Sequence, residues 1–128
     1  MPAPASYDYA VVRVVPRADR EEFINAGVIL FSKAHRFLGA RVEVDEARLL
    51  ALAPAVDVEL VRRHLEAIPR ICAGTEDGGP IARLSPSERF HWLVAPRSAL
   101  IQVSPVHGGV CGDPAERLDA LFRSLVAS

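Results

Sequence analysis

The sequence predicts an α+β fold in which a largely antiparallel sheet of about five strands carries helices on one face. The chain has 128 residues and half of them are hydrophobic, as expected of one domain, residues 1–128, with a sizeable core. Its first third has the composition of strands, and apolar residues recur at helical spacing in the middle and at the C-terminal end. The predicted order is β-β-β-α-α-β-β-α.

Three strands are predicted first. Residues 7–16 are rich in β-branched and aromatic side chains and follow a flexible tail over residues 1–6. Residues 23–32 are almost continuously apolar, which is typical of a central strand buried on both faces. Residues 37–44 would form the other arm of a hairpin with them, and the charged residues 17–22 would connect the first two strands.

Three helices are predicted from capping residues and apolar spacing. Asp45 precedes a short helix, and Asp57 precedes a longer one that Gly74 would end. Pro69 should kink or break this second helix, because proline lacks the backbone N–H and clashes with the preceding turn. Asp113, followed by a proline, should begin the last helix.

Two more strands are predicted before the last helix. In residues 89–95, apolar side chains alternate with Arg89 and His91, which predicts a strand with both basic residues on one face. Residues 99–104 alternate in the same way. The glycines of HGGVCG, residues 107–112, are interpreted either as a tight turn ahead of the last helix or as a loop that presents backbone N–H groups to an anion.

Composition narrows the class of function. A net charge of −1 disfavours a general binder of nucleic acid, since such domains usually carry a basic excess. No basic and apolar leader is visible, and no apolar run reaches the roughly 18 residues of a membrane span. Cys72 and Cys111 form neither a CxxC pair nor a disulfide framework. We therefore expect a soluble, cytoplasmic protein without a membrane partner.

Several short motifs follow one another along the chain. They are R-x-E-x-x-N-x-G-V at Arg20, Glu22, Asn25, Gly27 and Val28, RFHWL at 89–93, APRS at 95–98, and H-x-G at His107 and Gly109. In this order they resemble an uncharacterised bacterial family, domain of unknown function 3037. Gly108 departs from it, since a threonine would be expected there. The resemblance implies no established activity. Such proteins are similar to ones encoded beside HipA-like kinase-fold proteins, which implies a protein partner of that kind.

Arginine and histidine side chains supply a candidate site for an anion or a partner. The candidate residues are Arg20, Glu22, Asn25, Arg89, His91, Arg97, His107 and Gly109. Guanidinium groups bind phosphate and carboxylate, and histidine adds acid–base chemistry near neutral pH. Each candidate also has a structural interpretation: an Arg20–Glu22 ion pair, a bond from Asn25 to local backbone, or a solvated strand face.

No metal or cofactor is expected. His107 and Cys111 would need His91 or Cys72 to complete a zinc site, and their spacing does not require one. Cys111 is otherwise expected to pack as a small apolar side chain.

Two hypotheses on function remain. The first is a binding or regulatory module that docks on a protein, such as a HipA-like kinase-fold protein. The second is a small enzyme or ligand-binding protein for phosphorylated or nucleotide substrates, in which Arg20, Arg89, Arg97 and His107 converge. We favour the first, because no G-x-S-x-G elbow or phosphate-binding glycine motif is present. Nucleic-acid binding ranks below both, and a homo-oligomer is left open.

Overall fold

A computed structural model describes residues 3–17, 20–95 and 100–127. Within these ranges the chain forms five strands and four α-helices. The strands are β1 (Ala5–Arg17), β2 (Glu22–Ser32), β3 (Phe37–Val42), β4 (Ile101–Val103) and β5 (His107–Cys111). The α-helices are α1 (Glu46–Leu52), α2 (Val58–Ala73), α3 (Pro86–Val94) and α4 (Pro114–Leu125), and two short 3-10 helices (Glu76–Gly78 and Pro80–Arg83) join α2 to α3.

The five strands form one antiparallel sheet, so the predicted α+β class is confirmed and the element order matches roughly. β2 lies between β1 and β3, while β4 and β5 share the other edge of β1. At the break between β4 and β5, the Val11 N–H donates to the Ser104 hydroxyl at 2.8 Å. The Ser104 N–H in turn donates to the Val11 carbonyl at 2.8 Å. A buried side chain thus completes the hydrogen bonding of β1 where no strand covers it.

Helices cover both faces of the sheet. Val28 and Leu30 of β2 pack in a cluster with Leu118 of α4, whereas Ile29 packs in a larger cluster formed with α1, α2 and α3. Adjacent residues of a strand point to opposite faces, so α4 lies on the face opposite the other three helices. The expectation of helices on one face is therefore wrong for α4. The reason is that β2 is apolar on both faces, and each face needs a cover.

The strand predicted over residues 89–95 is wrong, because residues 89–94 lie in α3. The Ser85 side chain accepts from the Glu88 N–H at 3.2 Å, and the Glu88 carboxylate accepts from the Ser85 N–H at 3.3 Å. Hydrogen bonds from the Ser85 side chain and, with a smaller effect, from the Ser85 backbone N–H lower the pKa of Glu88. Phe90 and Leu93, three positions apart, are the buried residues of the helix. The capping box and helical burial together override the alternation.

The tight turn predicted over residues 107–112 is also wrong, because most of this segment is β5. It pairs with the start of β1, which begins at Ala5, inside the predicted tail. Strand pairing with a distant segment therefore sets the conformation of these glycines.

The other predicted helix ends are confirmed. Asp45, Asp57 and Asp113 each accept a backbone N–H in the first turn of a helix, and Gly74 ends α2 with a φ of 71°. Pro69 does not break α2, which continues to Ala73 and buries residues on both sides of the proline. Within the described ranges, no helix is long and apolar enough to span a membrane.

Candidate functional site

Arg20 and Glu22 lie where the chain enters β2, and they form an ion pair. Both line a surface cavity of about 450 Å³, together with Pro16, Arg17, and residues 52–56, which include the last residue of α1. The structural interpretation of an Arg20–Glu22 pair is therefore observed. The Nε of Arg20 is bound to the Glu22 carboxylate, which partly neutralises the positive charge that would attract an external anion.

Asn25 lies on β2 directly opposite Arg13 of β1. Its amide nitrogen donates to the Leu125 carbonyl at 3.1 Å, so it bonds to the distant last turn of α4 and not to local backbone. Carbonyls at a helix C-terminus lack partners within the helix, and Asn25 supplies one. The Arg13 guanidinium lies over the Phe23 ring, 4.3 Å from its centroid. Asn25 thus fastens α4 to the sheet.

Arg89 projects from α3 onto the C-terminal end of α2. Its Nη1 donates to the Ile71 carbonyl at 2.9 Å and to the Cys72 carbonyl at 2.8 Å. A cation in this position interacts favourably with the helix dipole as well as with the unpaired carbonyls. A Cβ on Gly74 would lie 2.8 Å from the same Nη1, so the glycine leaves room for the arginine. Arg89 is therefore occupied in joining two helices.

Cys72, whose carbonyl takes part in this contact, has a buried thiol that stays protonated near neutral pH. Burial raises the pKa of its thiol to about 12, and the Arg89 charge offsets only part of that rise. The thiolate is the reactive form of cysteine, so a thiol that stays protonated is a poor nucleophile.

His91 and Arg97 are not placed together with Arg89 on a strand face. His91 lies on the exposed side of α3, where its Nδ1–H donates to the Ser87 carbonyl at 2.7 Å. Arg97 lies outside the described residues. The predicted cluster of basic residues on one strand therefore does not form from Arg89 and His91.

His107 and Gly109 lie on β5, on the face of the sheet that carries α4. His107 is exposed and pairs with Tyr9, and the two rings are 5.4 Å apart between centroids. Gly109 pairs with Tyr7, and a Cβ at position 109 would lie only 2.6 Å from the Tyr7 ring. A Cβ on Gly108 would meet its nearest atoms at 3.6 Å, an ordinary contact. Packing therefore requires glycine at 109, whereas a Cβ has room at 108.

The described candidates do not form one pocket. Arg89 projects from a helix on one face of the sheet, while His107 lies on the other face, beside Tyr9. Arg20 follows the far end of β1, and the eight residue steps from Tyr9 to Arg17 span about 26 Å.

The cysteine and histidine candidates do not form a metal site either. Cys72 and Cys111 belong to different hydrophobic clusters. No group of three or more His, Cys, Asp or Glu side chains within the described ranges is placed to hold a metal ion.

A groove between α2, α3 and β4 was not predicted from the sequence. It has a volume of about 490 Å³ and is mainly apolar. Leu60 of α2 and Trp92 of α3 line it although they are 38% and 37% exposed. The charged or titratable side chains among its described lining residues are Arg63 and His64, with no carboxylate. The available signal was Leu60, an apolar residue just outside the buried stripe of α2.

A family model described as "Protein of unknown function (DUF3037)" matches residues 9–126, which is nearly the whole chain. The chain belongs to the DUF3037 family. No curated protein and no solved structure matches this DUF3037 protein.

Most motif residues of this DUF3037 protein make structural contacts. Asn25 binds the end of α4, and Arg89 binds the end of α2. Gly109 leaves room for the Tyr7 ring. Gly27 is needed because a Cβ there would lie 2.7 Å from the Arg41 carbonyl oxygen on β3. Trp92 of RFHWL lines the groove.

Proposed function

We propose that this DUF3037 protein is a binding module that docks on a protein partner through the α2–α3–β4 groove. The observation that carries the proposal is the pair of exposed apolar side chains, Leu60 and Trp92, in one mainly apolar groove. Large apolar side chains gathered in an exposed concave surface are typical of protein interaction sites. Tryptophan is enriched among the residues that dominate binding energy.

The charge of the groove specifies the chemistry of the partner. Arg63 and His64 lie beside the apolar floor, and no acidic side chain among the described lining residues neutralises them. A complementary segment therefore carries an apolar side chain for the cavity and a carboxylate for Arg63. The resemblance to proteins encoded beside HipA-like kinase-fold proteins supports a kinase-fold protein as the bearer of this segment.

The alternative, an enzyme or ligand-binding protein for phosphorylated substrates, required Arg20, Arg89, Arg97 and His107 to converge. The three of these that are described lie in three places, and Arg89 is already bound to the end of α2. We therefore retain partner binding as the proposal.

Two leucines of equal exposure give a matched test. Leu60 lies in the groove and Leu84 lies outside it, with 38% and 37% of their surfaces exposed. The purified chain is titrated with the purified kinase-fold neighbour by isothermal calorimetry. We expect Leu60→Glu to weaken binding at least about 30-fold, as for a hot-spot residue, and Leu84→Glu to change it less than about twofold. Equal effects of the two variants, or no binding of the neighbour, would refute the proposal.

The acidic side chain of the partner is tested separately. Arg63→Gln should weaken binding and reduce its dependence on salt, whereas Arg123→Gln, an exposed change on α4 across the sheet, should alter neither. If both variants keep the affinity and the salt dependence of the native chain, the partner does not present a carboxylate to Arg63.

A further inference from the structure

The outer edge of β5 is an uncovered strand edge. β5 pairs with β1 along one side, and no described strand pairs with its other side. Proteins usually protect such edges with charged side chains, prolines or bulges. Residues 107–111 contain none of these. Val110 in the strand and Val106 just before it are 62% and 45% exposed.

The backbone groups that point to this edge follow from the ladder of β1. Val11 directs both its N–H and its carbonyl toward the β4–β5 side, where Ser104 binds them. Hydrogen-bonding direction alternates along a strand, so Tyr9 and Tyr7 point the same way, toward His107 and Gly109. The N–H and carbonyl groups of the intervening Gly108 and Val110 therefore point outward.

We propose that this edge pairs antiparallel with the same edge of a second copy of the chain, about a two-fold axis at Gly109. In this register Gly108 of one copy exchanges both hydrogen bonds with Val110 of the second copy, and the reverse exchange follows from the symmetry. The two sheets become one continuous sheet across the axis. This inference is independent of the groove, which lies between α2, α3 and β4.

The side chains favour a second copy over an unrelated strand. Each exposed Val110 faces a glycine of the other copy, so the valine has space to pack over the backbone of Gly108. Continuing the same register places Val106 opposite Gly112 of the second copy. Residues 105–112 carry no Asp, Glu, Lys or Arg, so the two-fold axis brings no like charges together within the paired segment. The paired strands are short, so the dimer is a weak one that depends on concentration.

The first test is sedimentation equilibrium of the full chain from about 10 µM to about 1 mM. The average mass should rise toward twice the 13.9 kDa of one chain. Val110→Lys should weaken this association at least about tenfold, whereas Leu84→Lys, an equally drastic change at an exposed site elsewhere, should not alter it. A monomer over the whole range, or equal effects of the two variants, would overturn the proposal.

The second test checks the register. A chain with Gly108→Cys is mixed with a differently tagged chain carrying Val110→Cys, under mild oxidation. Opposite residues of a hydrogen-bonded pair have Cα atoms about 5.5 Å apart, within the range of a disulfide. The mixed pair should cross-link at least about tenfold faster than Val110→Cys alone, because the two copies of position 110 do not lie opposite each other in this register. Equal rates would show that the copies do not associate in this way.

Discussion

The neighbouring glycines of β5 provide a sharp prediction, because the structure separates them by packing alone. Gly109 lies under the buried ring of Tyr7, and a Cβ added there would come within 2.6 Å of it. Gly108 faces the opposite side of the sheet, where a Cβ would lie 3.6 Å from the Asp8 carboxylate. Gly109→Ala should therefore destabilise the fold, and Gly108→Ala should not.

The magnitude follows from the contact at Gly109. Ordinary contacts begin near 3.4 Å, so the Tyr7 ring must move by nearly 1 Å against its neighbours in the core. Overpacking of this kind costs about 1–3 kcal/mol. Alanine in place of glycine in a strand returns roughly 0.5–1 kcal/mol through the unfolded state. The net loss for Gly109→Ala is the difference of these ranges, about 0–2.5 kcal/mol with a midpoint of about 1.3 kcal/mol, whereas Gly108→Ala is neutral or stabilising by up to about 1 kcal/mol.

Thermal and urea unfolding of dilute protein measure the difference. For a chain of 128 residues, a change of 2 kcal/mol corresponds to about 7 °C in Tm. Gly109→Ala should lower Tm by about 5 °C and by no more than about 9 °C, with Gly108→Ala at or above the native value. Two variants of equal stability would show that Tyr7 does not pack over Gly109, and the register of β5 on β1 would then be wrong.

Three further changes probe other contacts. Arg89→Met removes the hydrogen bonds to the Ile71 and Cys72 carbonyls and should lower the free energy of unfolding in urea by about 2–3 kcal/mol. Arg89→Lys should lower it clearly less. Equal stability of the native chain and Arg89→Met would contradict the contact. The pKa of Cys72 is about 12 in the folded chain and 9.0 ordinarily. Above pH 9 the unfolded chain therefore loses this proton while the folded chain keeps it. The free energy of unfolding should fall by about 1.4 kcal/mol per pH unit up to pH 12. Cys72→Ala should remove that slope, and an unchanged slope would refute the assignment. Arg36 has a φ of 53°, so Arg36→Gly should raise stability by about 0.5–1 kcal/mol, and a loss would contradict the left-handed turn.

Elements determined by local sequence were predictable. The last helix shows this: Asp113 and Pro114 stand at its start, and Asp113 accepts a backbone N–H as expected. The same signature of a capping residue and a proline precedes α3 as Ser85 and Pro86, with Glu88 completing a capping box. The alternation in residues 89–95 obscured this local signal, although it was present in the sequence.

The strand β5 could not be predicted in this way. Its glycines have the composition of a turn, and their extended conformation depends on pairing with residues 5–9, about a hundred positions earlier in the chain. The role of Gly109 depends on the same pairing, because Tyr7 reaches it only across the two strands. Local sequence contains no trace of a contact over that separation.

The predicted candidate site does not form as one cluster, for a related reason. Arg89 and Asn25 carry the right groups for binding a ligand, but backbone carbonyls at the ends of α2 and α4 already bind them. Helix ends always leave such carbonyls, yet which polar side chain reaches them is decided by tertiary packing. Polar residues in a motif are therefore weak predictors of a ligand site in a small fold with several helix ends to satisfy.

Three residues of α3 explain why the groove beside it is preformed. Arg89 binds the end of α2, Phe90 stacks on Phe31 of β2 with ring centroids 5.3 Å apart, and Trp92 lines the groove. The first two contacts fix α3 against both the helix and the sheet that form the other walls. A cavity between elements held in this way would need little rearrangement to accept the proposed partner, so less binding energy would be lost in ordering it. The structural contacts of the RFHWL motif and the exposed tryptophan within it therefore serve the same surface.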